Sequence, residues 1–242
     1  MLIGLDFDNT IADYSSVFQK VAYKHGLVSK SWKGDKKELK KIILNKSGGE
    51  ESWMRVQGKV YGEFMHQAMV MPGIMNFLIH CKVKSIPVCI VSHKTQYGHY
   101  ESKNISLREE AKRWMKQKGF FDENFMPLSK NDVYFSETRE GKVGKISELG
   151  CTHFIDDLKE VFQESTFPRG VKKFLFTSGK EGSARYLTCD NWYDIKYAIL
   201  GNDDQEVDKL LAKLLLGDFP DSFKQIKGQG NSRVYKVIKK KK

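Results

Sequence analysis

Leu2-Ile3-Gly4-Leu5-Asp6-Phe7-Asp8-Asn9-Thr10 is the stretch on which the reading of this chain turns. A short apolar run followed at once by polar residues is the pattern of a buried strand in a parallel sheet, whose carboxyl end opens onto a crevice where ligands bind. Side chains alternate along a strand, so Asp6 and Asp8 point to one side and Phe7 to the other. Two acids one residue apart at such a mouth can serve as a nucleophile and a general acid. By itself the string also fits a turn, since Asp and Asn are common turn residues.

Three further signals follow in order, each behind its own apolar run. Ile86-Pro87-Val88-Cys89-Ile90-Val91 predicts a second buried strand with Ser92 at its end. Lys142 opens a helical pattern carried by Ile146 and Leu149, with Gly150 as a C-terminal stop. Cys151-Thr152-His153-Phe154-Ile155 leads into a second acidic pair, Asp156-Asp157. Strand tips that gather two acid pairs, a hydroxyl and a lysine are what a magnesium-dependent phosphoryl-transfer site requires.

On these motifs (Asp6-x-Asp8-x-Thr10, Ser92, Lys142 and Asp156-Asp157, over about residues 1 to 200) the chain resembles the haloacid-dehalogenase superfamily in its phosphatase-like branch. The resemblance implies that Asp6 attacks phosphorus and becomes a transient aspartyl phosphate. Asp8 would protonate the leaving oxygen and then deprotonate water, and an acid there favours phosphate-ester hydrolysis over dehalogenation. A phosphate facing an ionised Asp6 is repelled by about 4 kcal/mol per charge pair at ~4 Å and an effective dielectric of 20, so a cation must intervene. The implied ligands of Mg2+ are Asp6, Asp156 and the main-chain carbonyl of Asp8, with Asp157 either a ligand through water or an orienting group. Lys142 would hold Asp6 ionised, with Lys145 one turn on as the competing lysine. Thr10 and Ser92 would donate hydrogen bonds to phosphate oxygens, and His93, beside Ser92, is read as facing substrate or as exposed, together with His99.

The predicted architecture is α/β: a doubly wound, mainly parallel, Rossmann-like sheet with a small helical cap and a C-terminal helix plus hairpin. The core is assigned to 1–12 and 72–200, the cap to 13–71 and the tail to 201–242. Helical patterns run from Tyr14 to His25, from Asp35 to Leu44 and from Ser52 to Met69, before Pro72-Gly73 marks re-entry. A helix from Ile74 to about Cys81, one after the capping-box spacing of Ser106 and Glu109, and strands at Val133–Phe135 and Lys173–Phe176 bring the strand count to five. Trp53, Arg55, Gln57, Lys59 and Tyr61 are cap-lining candidates. The aromatics weigh toward cap core, and Arg55 has the fork geometry to meet an anionic substrate.

Residues 205–216 read as an amphipathic helix, and Phe223 to Val237 as two strand-like runs about a Gly-rich turn. That last stretch resembles the opening glycine loop of aminoglycoside-phosphotransferase-type kinases, but no later lysine, catalytic Asp or metal-binding Asp of a kinase follows. The chain of 242 residues carries a net charge of +11, of which Lys236 and Lys239 to Lys242 supply 5. That surplus suits anionic small substrates and weak, non-specific nucleic-acid contact, without a recognised nucleic-acid module. The four cysteines, Cys81, Cys89, Cys151 and Cys189, lack metal-type spacing. With no secretory signal or long apolar span, the reading is a cytoplasmic protein without membrane contact. The expected activity is hydrolysis of a small soluble phosphorylated metabolite. The alternatives are a nucleotide or nucleic-acid-end phosphatase and a non-enzymatic partner domain, and the oligomeric state is left open.

Overall fold

In the computed structural model the described residues are 1–99, 104–179 and 183–201, together with the backbone of two strands at 222–226 and 234–238. The chain opens with β1 (Ile3–Leu5) and β2 (Ala12–Asp13), then α1 (Ser15–Lys24), α2 (Lys36–Leu44), α3 (Gly49–Tyr61) and a 3-10 turn at Met65–Gln67. It returns through β3 (Met69–Val70), α4 (Ile74–Val83), β4 (Val88–His93), α5 (Leu107–Gln117), β5 (Val133–Ser136) and α6 (Arg139–Glu148). It continues with β6 (His153–Asp156), α7 (Lys159–Gln163), β7 (Lys172–Phe176), β8 (Leu187–Cys189) and α8 (Trp192–Leu200), and then the strands β9 (Ser222–Ile226) and β10 (Val234–Ile238).

Six strands form one sheet in the order β5-β4-β1-β6-β7-β8, and every neighbouring pair is parallel. This is the doubly wound α/β sheet that the sequence predicts. β1 sits at its centre, with Leu5 level with Ile90 on one side and Ile155 on the other. The chain leaves β1 toward β4 and β5 and later crosses to β6, so the strand order reverses at the tip of β1, where such sheets open a crevice.

Alternation along the strands splits the core into two layers. Ile3, Leu5, Ile90, Ile155 and Phe174 face one side with the apolar stripes of α1, α4, α5 and α8. Cys89, Val91, Phe154 and Leu175 face the other with Val143 and Ile146 of α6 and Val161 and Phe162 of α7. Gly4 lies on that second side, and its missing side chain is the space that Phe154 fills: a Cβ there would stand 2.5 Å from Phe154 Cδ2.

The helical segment leaves and rejoins the core through a narrow ribbon. Ala12 pairs with Val70 and Asp13 with Met69, antiparallel. Within the segment, Asp35 caps α2 with a full capping box, and Phe18, Trp53 and Tyr61 pack their rings together.

Several expectations change. The sheet has a sixth strand, β8, that the sequence pattern did not mark, because three residues at a sheet edge leave little periodicity. The helical run expected to Met69 ends at Tyr61, since Gly62 interrupts it and the 3-10 turn follows. Lys142 does not open its helix: α6 starts at Arg139 behind Thr138, whose hydroxyl accepts from Gly141 N at 3.0 Å. The two strand-like runs of the tail do pair, antiparallel, with Val234 against Ile226. The helix expected at 205–216, the Gly-rich turn and the terminal lysine run lie outside the described residues. No helix among the described residues is long and apolar enough to cross a membrane.

Candidate active site

Three strand tips and one helix start bring the chemistry to a single place. Asp6 leaves β1 with its amide donating to Ile155 O at 2.9 Å, and its side chain is almost wholly buried. The chain then turns at Asn9, whose φ of 60° is a left-handed conformation that Asn tolerates better than most residues. That turn lets Asn9 Nδ2 donate to Asp157 Oδ2 at 3.2 Å, tying the first acidic pair to the second. At the tip of β6, Asp156 is fully buried and accepts the amide of Leu158 at 3.0 Å.

Lys142 lies under this cluster. Its Nζ donates to Asp6 Oδ1 and to Asp156 Oδ2, both at 2.6 Å, and the side chain is 2% exposed. Burial alone would lower the ammonium, but the carboxylates of Asp156 and Asp6 outweigh it and raise it above the ordinary lysine value. Lys145 turns outward and pairs with Glu148.

Asp6, Asp156 and Asp157 each present an oxygen within 4.8 Å of the others. Three carboxylates against one ammonium leave a surplus of negative charge in a buried place. The surplus shows in the acids: burial raises Asp156 to about 7, Lys142 opposing and Asp6 adding to the rise, and burial likewise raises Asp157 well above the ordinary range. An all-oxygen donor set with excess negative charge and an open cavity beside it fits a hard divalent cation such as Mg2+.

The cavity above the cluster has a volume of about 320 Å3, with Asp6, Asp8, Asn9, Ser92, His93, Lys142 and Asp157 among its walls. Ser92 Oγ is buried there without a hydrogen-bond partner among the described residues. Such an orphan is rare in folded proteins and points to a group that the cavity receives. Thr10 is not in the cavity wall: its hydroxyl lies 3.5 Å from Asp6 Oδ2, while its carbonyl accepts the indole N–H of Trp192 at 2.9 Å. His93 stands exposed at the rim with Nε2 2.9 Å from Glu137 O, and His99 is exposed.

Of the helical segment's candidates, Gln57 and Tyr61 reach the cavity. Trp53 is core against Phe18. Arg55 instead bonds Glu51 on the outer surface of α3, and Lys59 pairs with Glu63, because their positions on the helix turn away from the apolar side. Tyr14, Lys36, Lys94 and Arg139, in or beside the cavity, are among the residues that escaped the sequence reading. Lys36 donates to Tyr61 OH at 3.0 Å, and its ammonium is lowered by burial against the pull of Asp8 and Asp157. Lys94, almost fully buried, pairs with Asp8 at 2.9 Å. A signal for it existed: it follows Ser92 by two residues, which places both on one side of an extended tip.

No protein-family model matches the chain, and no curated protein matches it. Solved structures with the same fold do. A haloacid dehalogenase-like family hydrolase from Streptococcus pneumoniae superposes with a TM-score of 0.52 at 16% identity, over 81% of this chain and 97% of that one. A haloacid dehalogenase-like family hydrolase from Xanthomonas campestris gives 0.50 at 11% identity, over 85% and 97%. A haloacid dehalogenase hydrolase of family IA, variant 3, from Entamoeba histolytica gives 0.50 at 12% identity, over 86% and 97%. The chain therefore has the haloacid-dehalogenase-like fold, in agreement with the resemblance read from its motifs.

Proposed function

We propose that the chain is a magnesium-dependent phosphomonoester hydrolase acting on a small phosphorylated metabolite through an aspartyl phosphate. The observation that carries this reading is the convergence of Asp6, Asp156 and Asp157 within 4.8 Å, with Asp6 and Asp157 in the wall of a cavity that Asp8 and Ser92 also line. The fold shared with known hydrolases supports it.

Asp6 attacks phosphorus and the bond to the leaving oxygen breaks, with Asp8 supplying the proton that the leaving oxygen takes. Water then attacks the aspartyl phosphate, Asp8 accepts its proton, and phosphate and free Asp6 are regenerated. Ser92 donates to a phosphate oxygen, Thr10 steadies Asp6 from behind, and Lys142 bonds one oxygen each of Asp6 and Asp156 and holds the two acids side by side. Asp6, Asp156 and Asp157 would hold Mg2+, which offsets the repulsion between phosphate and nucleophile. The cavity, near the lower end of the 300–1,000 Å3 typical of ligand sites, suits a small ester. Lys36, Gln57 and Tyr61 from α2 and α3 form the roof over it, so the helical segment acts as the cap that selects the leaving group.

A panel of phosphate esters assayed with MgCl2 and with EDTA, beside Asp6→Asn, tests the reading. Magnesium-dependent release of phosphate, lost in the variant, is expected. Turnover that survives in Asp6→Asn overturns the covalent route, and a wild type silent on the whole panel overturns the hydrolase reading.

A further inference from the structure

Asp8 is a carboxylate on a short loop, and a free side chain there would sample several orientations. The structure shows it held in one. Lys94 Nζ lies 3.0 Å from Asp8 Oδ1 and 2.9 Å from Oδ2, and Tyr14 OH donates to Oδ1 at 2.5 Å. A lysine with a side chain 2% exposed is costly to bury unless its charge is matched, and Asp8 is the ion-pair partner found for it among the described residues.

Both donors are themselves fixed. Lys94 gives its amide to Ser136 O at 3.0 Å and takes Arg108 Nε on its carbonyl at 2.9 Å. Its ammonium stands 4.7 Å from the centre of the Tyr61 ring and 5.6 Å from that of Phe7. Tyr14 is fully buried, edge-on to Tyr61, with its hydroxyl also 3.3 Å from Met65 Sδ. Tyr14 is absent from the cavity wall, and its hydroxyl reaches a bound ester through Asp8.

We propose that Lys94 and Tyr14 are positioning residues that clamp Asp8 in the orientation needed for proton transfer, one reaching it from the tip of β4 and the other from the start of α1; the ion pair is the state Asp8 reaches once its proton has gone to the leaving oxygen, and from which it takes the proton of water. This rests on the phosphatase reading above. Misplacing a reacting group by about 1 Å can cost on the order of 100-fold in rate, so a fixed carboxylate is worth the burial of a lysine.

The consequence depends on the leaving group. An alkyl phosphate needs a proton on its departing oxygen, whereas p-nitrophenolate leaves without one. In Lys94→Met, kcat/KM for an alkyl ester from the panel should fall by about 100-fold or more, the lower end of what general acid catalysis contributes. For p-nitrophenyl phosphate, kcat and KM should fall together, because cleavage proceeds while water attack on the aspartyl phosphate slows. Tyr14→Phe should show the same pattern more weakly. Equal losses of kcat/KM on both esters would overturn the proposal, since a phosphate-binding or merely structural lysine acts on both alike. A crystal structure of Lys94→Met gives a readout independent of turnover: Asp8 should rotate away from its present place, and an unmoved carboxylate overturns the clamp even where the phosphatase reading stands. A wild type silent on every ester defeats the phosphatase reading itself and the clamp's role with it.

Discussion

Varying pH with and without magnesium should expose the surplus charge around Asp156. Burial raises this carboxyl to about 7 from an ordinary 3.8, with Lys142 opposing and Asp6 reinforcing the rise. Between those values the folded chain retains a proton that the unfolded chain has released, so stability falls as pH rises, by about 1.4 kcal/mol per pH unit. Across the window the loss is on the order of 4 kcal/mol, complete above about pH 7 and absent below about pH 4. For a chain of this size that corresponds to roughly 8–16 °C in Tm. Magnesium needs the acids ionised, so its stabilising effect should grow from about pH 5 to about pH 7 and then level off. Thermal unfolding in EDTA and in MgCl2 across this range, for wild type and Asp156→Asn, measures both effects. The variant subtracts opposing contributions such as that of His153, whose imidazole is lowered by burial and so gains stability as pH rises. A wild-type-minus-variant difference that stays flat or climbs between about pH 5 and 7 in EDTA would refute the reasoning, as would a magnesium shift equal at both ends.

Two substitutions probe the same arrangement from opposite directions. Lys142→Met leaves Asp6 and Asp156 buried without their ammonium, so the urea midpoint should drop by the equivalent of about 3–5 kcal/mol at unchanged m, with magnesium restoring part of it. Arg55→Ala removes an exposed pair with Glu51 on the outside of α3, so the urea midpoint should move by the equivalent of about 0.5 kcal/mol at most and kcat/KM by less than about twofold.

The acids were legible because each stands just past an apolar run: a strand tip announces itself by the sudden change from Leu5 to Asp6 or from Ile155 to Asp156. Ser92 was legible in the same way, at the end of the apolar run to Val91, and Lys142 by its spacing to Ile146 and Leu149 together with its order along the chain. Lys36 and Lys94 were hidden by composition: among 41 lysines and arginines, a buried one looks like a solvated one until the fold shows what faces it. Tyr14 was absorbed into the periodicity of α1, and its hydroxyl acquires meaning only when α1 is docked beside Asp8. Arg55 shows the converse, since its fork chemistry suggested an anion, while its angular position on α3 gave it Glu51. β8 and the ribbon of β2 and β3 were illegible because two or three residues cannot display a period.

The indole of Trp192, packed between Phe77 and Phe176, reaches across 182 positions of sequence to brace the loop that carries the first acids. A fragment trimmed to end ahead of that tryptophan would keep every carboxylate discussed here and still lose the strut beneath Thr10. The support of the loop that carries the first acids therefore comes from an aromatic side chain at position 192, well beyond the last residue that lines the cavity.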